Sequence, residues 1–232
     1  MKPILIQGAM EIEIKVLLEN LSNREEISIG GGNFYKGFIH DKPVIISRTG
    51  IGIVPAAMAT TIGIIEFEPS AVINQGIAGA HRLDIHIGDI VIGEKVINAN
   101  SFETPFRAEG EGSQPLDWEA SDWVERNEAY GDKRLIELAK DVKYSKGKVY
   151  FGPIGSGDFW NREADRINWL HEKYGTLCEE MEGFGTYAVC NKFDVPCLGI
   201  RIISNNEIAG REYEKNMGLV IQKFTMGVMK KM

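Results

Sequence analysis

Residues 3–19 read PILIQGAMEIEIKVLLE, and this stretch decides the fold class. Residues 4–7 open on a short apolar run and read as a buried strand. Pro3 stands at its start, where a missing N–H is tolerated. Gly8 and Ala9 turn the chain, and residues 11–19 read as a helix. The same alternation recurs along the sequence. Strands are expected at 33–40 and 43–48, joined by a turn at Asp41–Lys42, and at 71–75, 89–97, 148–153 and 197–203. Helices are expected at 55–67, 133–142, 162–174 and 182–192, and from about Tyr213. Strands alternating with helices imply an α/β sandwich with a mixed central sheet. No repeat, low-complexity tract or linker composition divides the chain, so residues 1–232 are read as one domain.

The pattern lapses between 98 and 131, where Pro105, Gly110, Gly112 and Pro115 break periodicity. A long loop in a compact domain is usually functional or disordered. Its aromatics, Phe102, Phe106, Trp118 and Trp123, argue against plain disorder. They fit packing on a neighbouring subunit or closure of a ligand site, and the two are compatible.

Bulk composition narrows the function. Of 232 residues, 44% are hydrophobic and 25% charged, as expected of a chain able to bury a substantial core. The formal net charge is −7 and the sequence pI about 5.3. Such a surface repels phosphate backbones, which argues against nucleic acid and anionic membranes as partners. Glu11 and Glu13 interrupt the N-terminal apolar run, so no signal peptide is read there. No run reaches the roughly 18 apolar residues of a membrane span. Cys178, Cys190 and Cys197 are odd in number and form no CxxC pair, so a reducing cytoplasm is the expected setting. His40, His81, His86 and His171 are scattered without metal-ligand spacing, and no metal or other cofactor is expected.

Four strand ends are polar or glycine-rich: 7–13 (QGAMEIE), 74–80 (NQGIAGA), 155–161 (GSGDFWN) and 201–207 (RIISNNE). In α/β folds such ends carry the ligand, and glycine lets backbone approach it. Residues 179–183, EEMEG, join them. Singly, each has a plain structural reading. Glu13 and Glu182 are helix-start carboxylates favoured by the helix dipole. Asp158 caps the helix that follows. Met10 and Met181 fill core, Trp160 is a packed anchor, and Arg201 belongs to an ion pair. The GxGxxG spacing of a dinucleotide site is absent around Gly76 and Gly79.

Taken in order, the motifs are far more specific. They are GAMEIE at 8–13, TGIG at 49–52, QGIAGA at 75–80, GD at 88–89, SGDFW at 156–160, EMEG at 180–183 and RIIS at 201–204. This series resembles the nucleoside phosphorylase superfamily, and most closely the 5′-methylthioadenosine/S-adenosylhomocysteine nucleosidases, over nearly the full length. The resemblance implies a three-layer α/β/α sandwich and a homodimer with shared ligand sites, the segment 98–131 lying where the family's partner-contact loop does. It implies cleavage of a purine–ribose bond. Glu13 then activates water, and Glu182 binds the ribose hydroxyls, with Gly79, Glu180 and Ser204 in the same site. Met10 and Met181 lie against the sugar. Trp160 stacks on the purine, the backbone of Asn161 reads the base edge, Arg201 holds the catalytic carboxylate and water, and Tyr213 covers the 5′ group.

Water is favoured over phosphate as acceptor. A phosphorylase holds a phosphate dianion with arginine and backbone N–H groups. The loop after the first strand here carries Glu11 and Glu13 and no arginine; Arg48, near the second glycine turn, stands alone.

Two positions depart from the nucleosidase pattern. Ile77 replaces a serine, and Asn205 replaces the aspartate that shares a proton with purine N7. An amide is no general acid, but it donates one hydrogen bond and accepts another. That pair matches the O6 and protonated N7 of a 6-oxopurine, and leaves one donor facing another on a 6-aminopurine. Adenine nucleosides remain the first expectation, with inosine- or futalosine-like substrates as the alternative. If adenine is the base, its proton comes from solvent or from Glu207 swung inward; the plain reading of Glu207 is a solvated loop residue. A nucleoside-binding sensor is the non-enzymatic alternative. Ser156 and Ser204 have no histidine nearby in sequence to make them nucleophiles.

Overall fold

A computed structural model describes residues 1–111, 116–120, 127–210 and 212–232; Gly112, Pro115 and Trp123 lie outside them. In chain order the elements are β1 (Ile4–Gly8), α1 (Glu11–Glu19), β2 (Ser22–Ile29), β3 (Gly32–Ile39), β4 (Lys42–Arg48), α2 (Ile53–Phe67), β5 (Ala71–Ala80), β6 (Ile90–Asn98), β7 (Phe102–Glu103), β8 (Glu119–Ala120), β9 (Glu128–Tyr130), α3 (Lys133–Lys140), β10 (Val149–Ser156), α4 (Ala164–Tyr174), β11 (Cys178–Glu180), α5 (Gly183–Lys192), β12 (Cys197–Asn205) and α6 (Met217–Lys231).

The mixed sheet runs β11-β10-β6-β12-β5-β1-β4-β3-β2, with β9 beside β6. Pairs β1–β4, β1–β5, β12–β5, β10–β6 and β10–β11 are parallel. β6 runs antiparallel to β12, and β11 turns back to pair antiparallel with β5. This last pairing curls one end of the sheet into a closed ring of five strands, and strand ends converge there.

Alternation along β1 sorts the core into two halves. Ile4 and Ile6 face one way, packing with Ile14 and Leu17 of α1, Leu135 of α3, and Ile221 and Phe224 of α6. Leu5 faces the other way, with Ile64 of α2 and Tyr187 and Cys190 of α5. Helices thus cover both faces of a sheet whose central strands β1, β5 and β12 are buried along almost their whole length.

Three expectations change. β2 was missed, because SNREEISI is largely exposed and shows no alternation; its charges suit an edge strand, where they discourage pairing with other chains. The β3–β4 turn sits at His40 and Asp41, both at positive φ (50° and 61°), the geometry of a two-residue hairpin turn. The glycine-rich residues 76–80 continue β5 rather than forming a loop, since β12 and β11 supply their backbone partners. Likewise β12 extends to Asn205 and β10 to Ser156.

In the 98–131 segment, Phe102 and Trp118 pack within the chain on α4. Their ring centroids lie 4.8 and 5.5 Å from that of Trp169. Phe106 is 94% exposed.

The two helices on one face, α2 and α5, approach closely at Gly185. A Cβ there would overlap the Ile53 carbonyl oxygen and lie 3.1 Å from the Ala57 nitrogen, both rigid backbone. Gly185→Ala is expected to destabilise the fold by about 1–3 kcal/mol through overpacking, read as a lower urea midpoint with an unchanged slope.

Candidate active site

The carboxyl-terminal ends of β1, β5, β10, β11 and β12 surround a cavity of about 240 Å³. Glu13, from the first turn of α1, forms one wall and is 3% exposed. Its Oε2 accepts the Met10 N–H at 2.9 Å and its Oε1 the Ile77 N–H at 3.0 Å. Gly76 makes the approach possible: a Cβ there would stand 2.6 Å from Glu13 Oε1. Burial pushes the Glu13 carboxyl above its usual range, while the two N–H donors and the Arg201 charge pull the other way.

Beneath the cavity, Arg201 on β12 is 1% exposed. Its guanidinium is ion-paired with Glu180 through Nε and Nη2, and it also donates to the Asn74 carbonyl and side chain. It makes no hydrogen bond to Glu13 and does not line the cavity. The expectation was that Arg201 holds the catalytic carboxylate and water; among the described residues its link to Glu13 is its charge, which lowers the Glu13 carboxyl. Burial would pull the guanidinium down, and Glu180, Glu182 and Glu13 more than offset this.

Glu180 borders the cavity, but its carboxylate is already engaged. Besides Arg201 it accepts the backbone N–H groups of Glu182 and Gly183. It therefore shapes the turn into α5 rather than offering itself to a ligand. That turn projects Met181 and Glu182 into the cavity. Glu182 Oε1 accepts the Gly52 N–H at 3.0 Å, so the TGIG turn steadies it. Burial, then the neighbouring Glu180 charge, push its carboxyl up. Asp158 accepts the Ile53 N–H at 2.7 Å, so it caps α2 and not the helix that follows it.

Across the cavity stands Asn205, 5% exposed. Its Oδ1 lies 2.9 Å from the Ser204 hydroxyl, and its Nδ2 donates to Glu207 Oε1 at 3.1 Å. Glu207 also accepts from Trp160 Nε1 at 3.2 Å and Arg162 Nε at 3.1 Å. It is a wall residue with three donors, not a solvated loop residue. Trp160 and Tyr213, with ring centroids 5.4 Å apart, form a partly exposed aromatic mouth. Met10, Gly79 and Asn161 complete the wall.

Every expected site residue except Arg201 thus reaches one cavity. Sequence reasoning missed Ile51, His81, Phe159 and Glu179, which also line it. The only signal for Glu179 was its place in EEMEG beside the turn. Arg48 lies in an adjoining cavity with Lys15 and Lys215, away from the cavity wall that Glu182 and Asn205 share. All three cysteines are free and buried.

Removing the guanidinium leaves Glu180 buried without its cation. Arg201→Met is expected to destabilise by about 3–5 kcal/mol, measured by chemical denaturation at pH 7.

Residues 3–227 match the phosphorylase superfamily model. The 5′-methylthioadenosine/S-adenosylhomocysteine nucleosidase of Oceanobacillus iheyensis is 35% identical over 211 residues, 89% of this chain and 86% of the relative. An aspartate-to-asparagine mutant of the Helicobacter pylori nucleosidase, solved with 5′-methylthioadenosine in its active site, superposes with TM-score 0.85 at 28% identity, covering 100% of both chains. Futalosine hydrolase of Helicobacter pylori superposes with TM-score 0.85 at 28% identity, covering 100% of this chain and 98% of that one. The chain belongs to the phosphorylase superfamily, and the 5′-methylthioadenosine/S-adenosylhomocysteine nucleosidases are among its relatives.

Proposed function

We propose that this chain is an N-glycosyl hydrolase that cleaves 5′-methylthioadenosine and S-adenosylhomocysteine to adenine and the 5-thioribose. The observation that carries the reading is Glu13: a buried carboxylate, fixed by two backbone N–H groups, facing a cavity with Glu182 and Asn205. Cleaving the bond requires a nucleophile at the sugar and a stabilised leaving base. Glu13, its basicity raised by burial, takes the proton of water. Glu182 accepts from the ribose hydroxyls, and Met10 and Met181 lie against the sugar. Trp160 stacks on the base, the backbone of Asn161 reads its edge, and Tyr213 covers the 5′ substituent. Gly79 and Ser204 complete the base end, and Arg201 with Glu180 positions the carboxylate wall. Water, not phosphate, is the acceptor, because no Lys or Arg stands among the described residues of the wall to hold a phosphate dianion beside the Glu13 carboxylate.

Asn205 favours a second reading, a 6-oxopurine nucleoside such as inosine or futalosine. Its neutral amide suits O6 and a protonated N7, and the relative with futalosine hydrolase activity shares the fold.

The test is chromatographic product analysis of methylthioadenosine, S-adenosylhomocysteine, inosine and futalosine, with and without phosphate. Adenine released from the thio-nucleosides without phosphate is the expected outcome; hypoxanthine release alone moves the protein to the second reading. Binding without turnover would make it a nucleoside sensor. Glu13→Gln is expected to lower kcat by about 10³-fold, since its NH₂ must also face a backbone N–H.

The protein is further read as one domain acting as a homodimer in a reducing cytoplasm. Free, buried cysteines support the compartment. The dimer is supported by α2, whose outer face exposes Val54, Met58 and Ile65, with Ile51 ahead of it at the cavity wall. Val54→Glu combined with Met58→Glu is expected to give a monomer by light scattering. A dimer unchanged at micromolar concentration would place the interface elsewhere.

A further inference from the structure

Glu179 has no part in the roles assigned above. It is 9% exposed, lines the cavity, and stands on the short strand β11. The sheet sets what it faces. Gly155 on β10 pairs with Glu179, Glu179 pairs with Gly79 on β5, and Gly79 pairs with Asn205 on β12. Residues opposite one another in a sheet present the same face, which puts Gly155, Glu179 and Gly79 in one row; Asn205 follows a register shift in β12, and its Nδ2, 3.1 Å from where a Gly79 Cβ would stand, puts its side chain on that face too. On that face the Glu179 and Asn205 side chains are separated by a glycine. A Cβ on Gly79 would stand 3.1 Å from Asn205 Nδ2, so the gap is needed. Glu179 and Asn205 are therefore two strand spacings apart, roughly 9–10 Å between backbones. A purine edge fills that interval with a hydrogen bond at either end.

Both flanking groups are held. Asn205 is pinned by Ser204 and Glu207, leaving its second N–H and second lone pair for a ligand. Glu179 Oε2 accepts from Asn161 Nδ2 at 3.4 Å and lies 3.7 Å from His81 Nε2. Its Oε1 has no partner among the described residues.

We infer that Glu179, with Asn205 opposite it, reads the purine base: the two clasp the edge running from N7 past the 6-substituent to N1, and ionised Glu179 accepts the N1–H that a 6-oxopurine offers and neutral adenine lacks. This rests on the cavity being a purine site. Protonated Glu179 accommodates adenine as well. Its O–H donates to adenine N1 and its carbonyl accepts from the 6-amino group.

The groups around Glu179 let that change of state occur near neutrality. Burial raises its carboxyl to about 7, Asn161 and the Arg166 charge oppose this, and the neighbouring Glu180 reinforces it. His81, on the far side, is driven down to about 3 by burial and by His171, so it stays neutral throughout. Above about pH 7 the pocket therefore loses its donor to adenine N1 and favours hypoxanthine, and below it both bases are accommodated.

The test is titration calorimetry of free hypoxanthine and free adenine against the protein and Glu179→Gln at pH 6 and pH 8. In the unaltered protein the hypoxanthine-to-adenine affinity ratio is expected to rise at least about tenfold between the two pH values, one pKa unit being one factor of ten. In Glu179→Gln, whose amide offers a donor and an acceptor at both pH values, the ratio should stay flat. A ratio that does not change with pH in the unaltered protein overturns the proposal whether or not the variant folds. So does an equal pH dependence in the variant. Either result leaves the purine reading standing, whereas failure of both bases to bind removes both.

Discussion

The ion pair between Arg201 and Glu180 is the constraint on which the site depends. It ties β12 to β11 across the closed end of the sheet, and through Asn74 it reaches β5 as well. A guanidinium that is 1% exposed is tolerated only because its donors are spent on Glu180, Asn74 and Ile200. Glu180 in turn takes the first N–H groups of α5, so the cation, the turn and the projection of Met181 and Glu182 form one unit. A buried pair of this kind adds little net stability against an apolar replacement, while loss of one partner is severe. Its value lies in geometry.

The same cation governs the electrostatics. Glu13, Glu179, Glu180 and Glu182 crowd one end of the sheet, and Arg201 is the fully buried cation beneath them. Glu180 is neutralised directly. Glu13 and Glu182 are left with backbone donors and a more distant charge, so burial dominates and both carboxyls are raised. A carboxylate that holds its proton more tightly is a better base, which suits the role proposed for Glu13.

Glycines supply the remaining space. Gly76 admits Glu13 to the edge of β5, and Gly79 separates Glu179 from Asn205. Both stand in a paired strand, where glycine ordinarily weakens the ladder. β5 keeps its pairing because β1, β12 and β11 supply it from both sides.

The α/β alternation, the buried strands, and the motifs whose side chains meet in the cavity are legible in the amino-acid sequence. Those signals are local: apolar runs, turn glycines, and polar residues at strand ends. The sequence did not reveal β2, whose charged edge lacks alternation, nor the continuation of β5 through QGIAGA, where glycines read as a turn until neighbouring strands bond them. Tertiary structure alone decided the partners. Arg201 is bonded to Glu180 and not to Glu13, Asp158 caps α2 rather than the next helix, and Glu207 faces inward beneath Trp160. Glu179 gains its place opposite Asn205 only when β11 folds back on β5. Such pairings join residues 21 to 105 positions apart along the chain, and a carboxylate's partner at that range is fixed by strand register and closure, which no local pattern encodes.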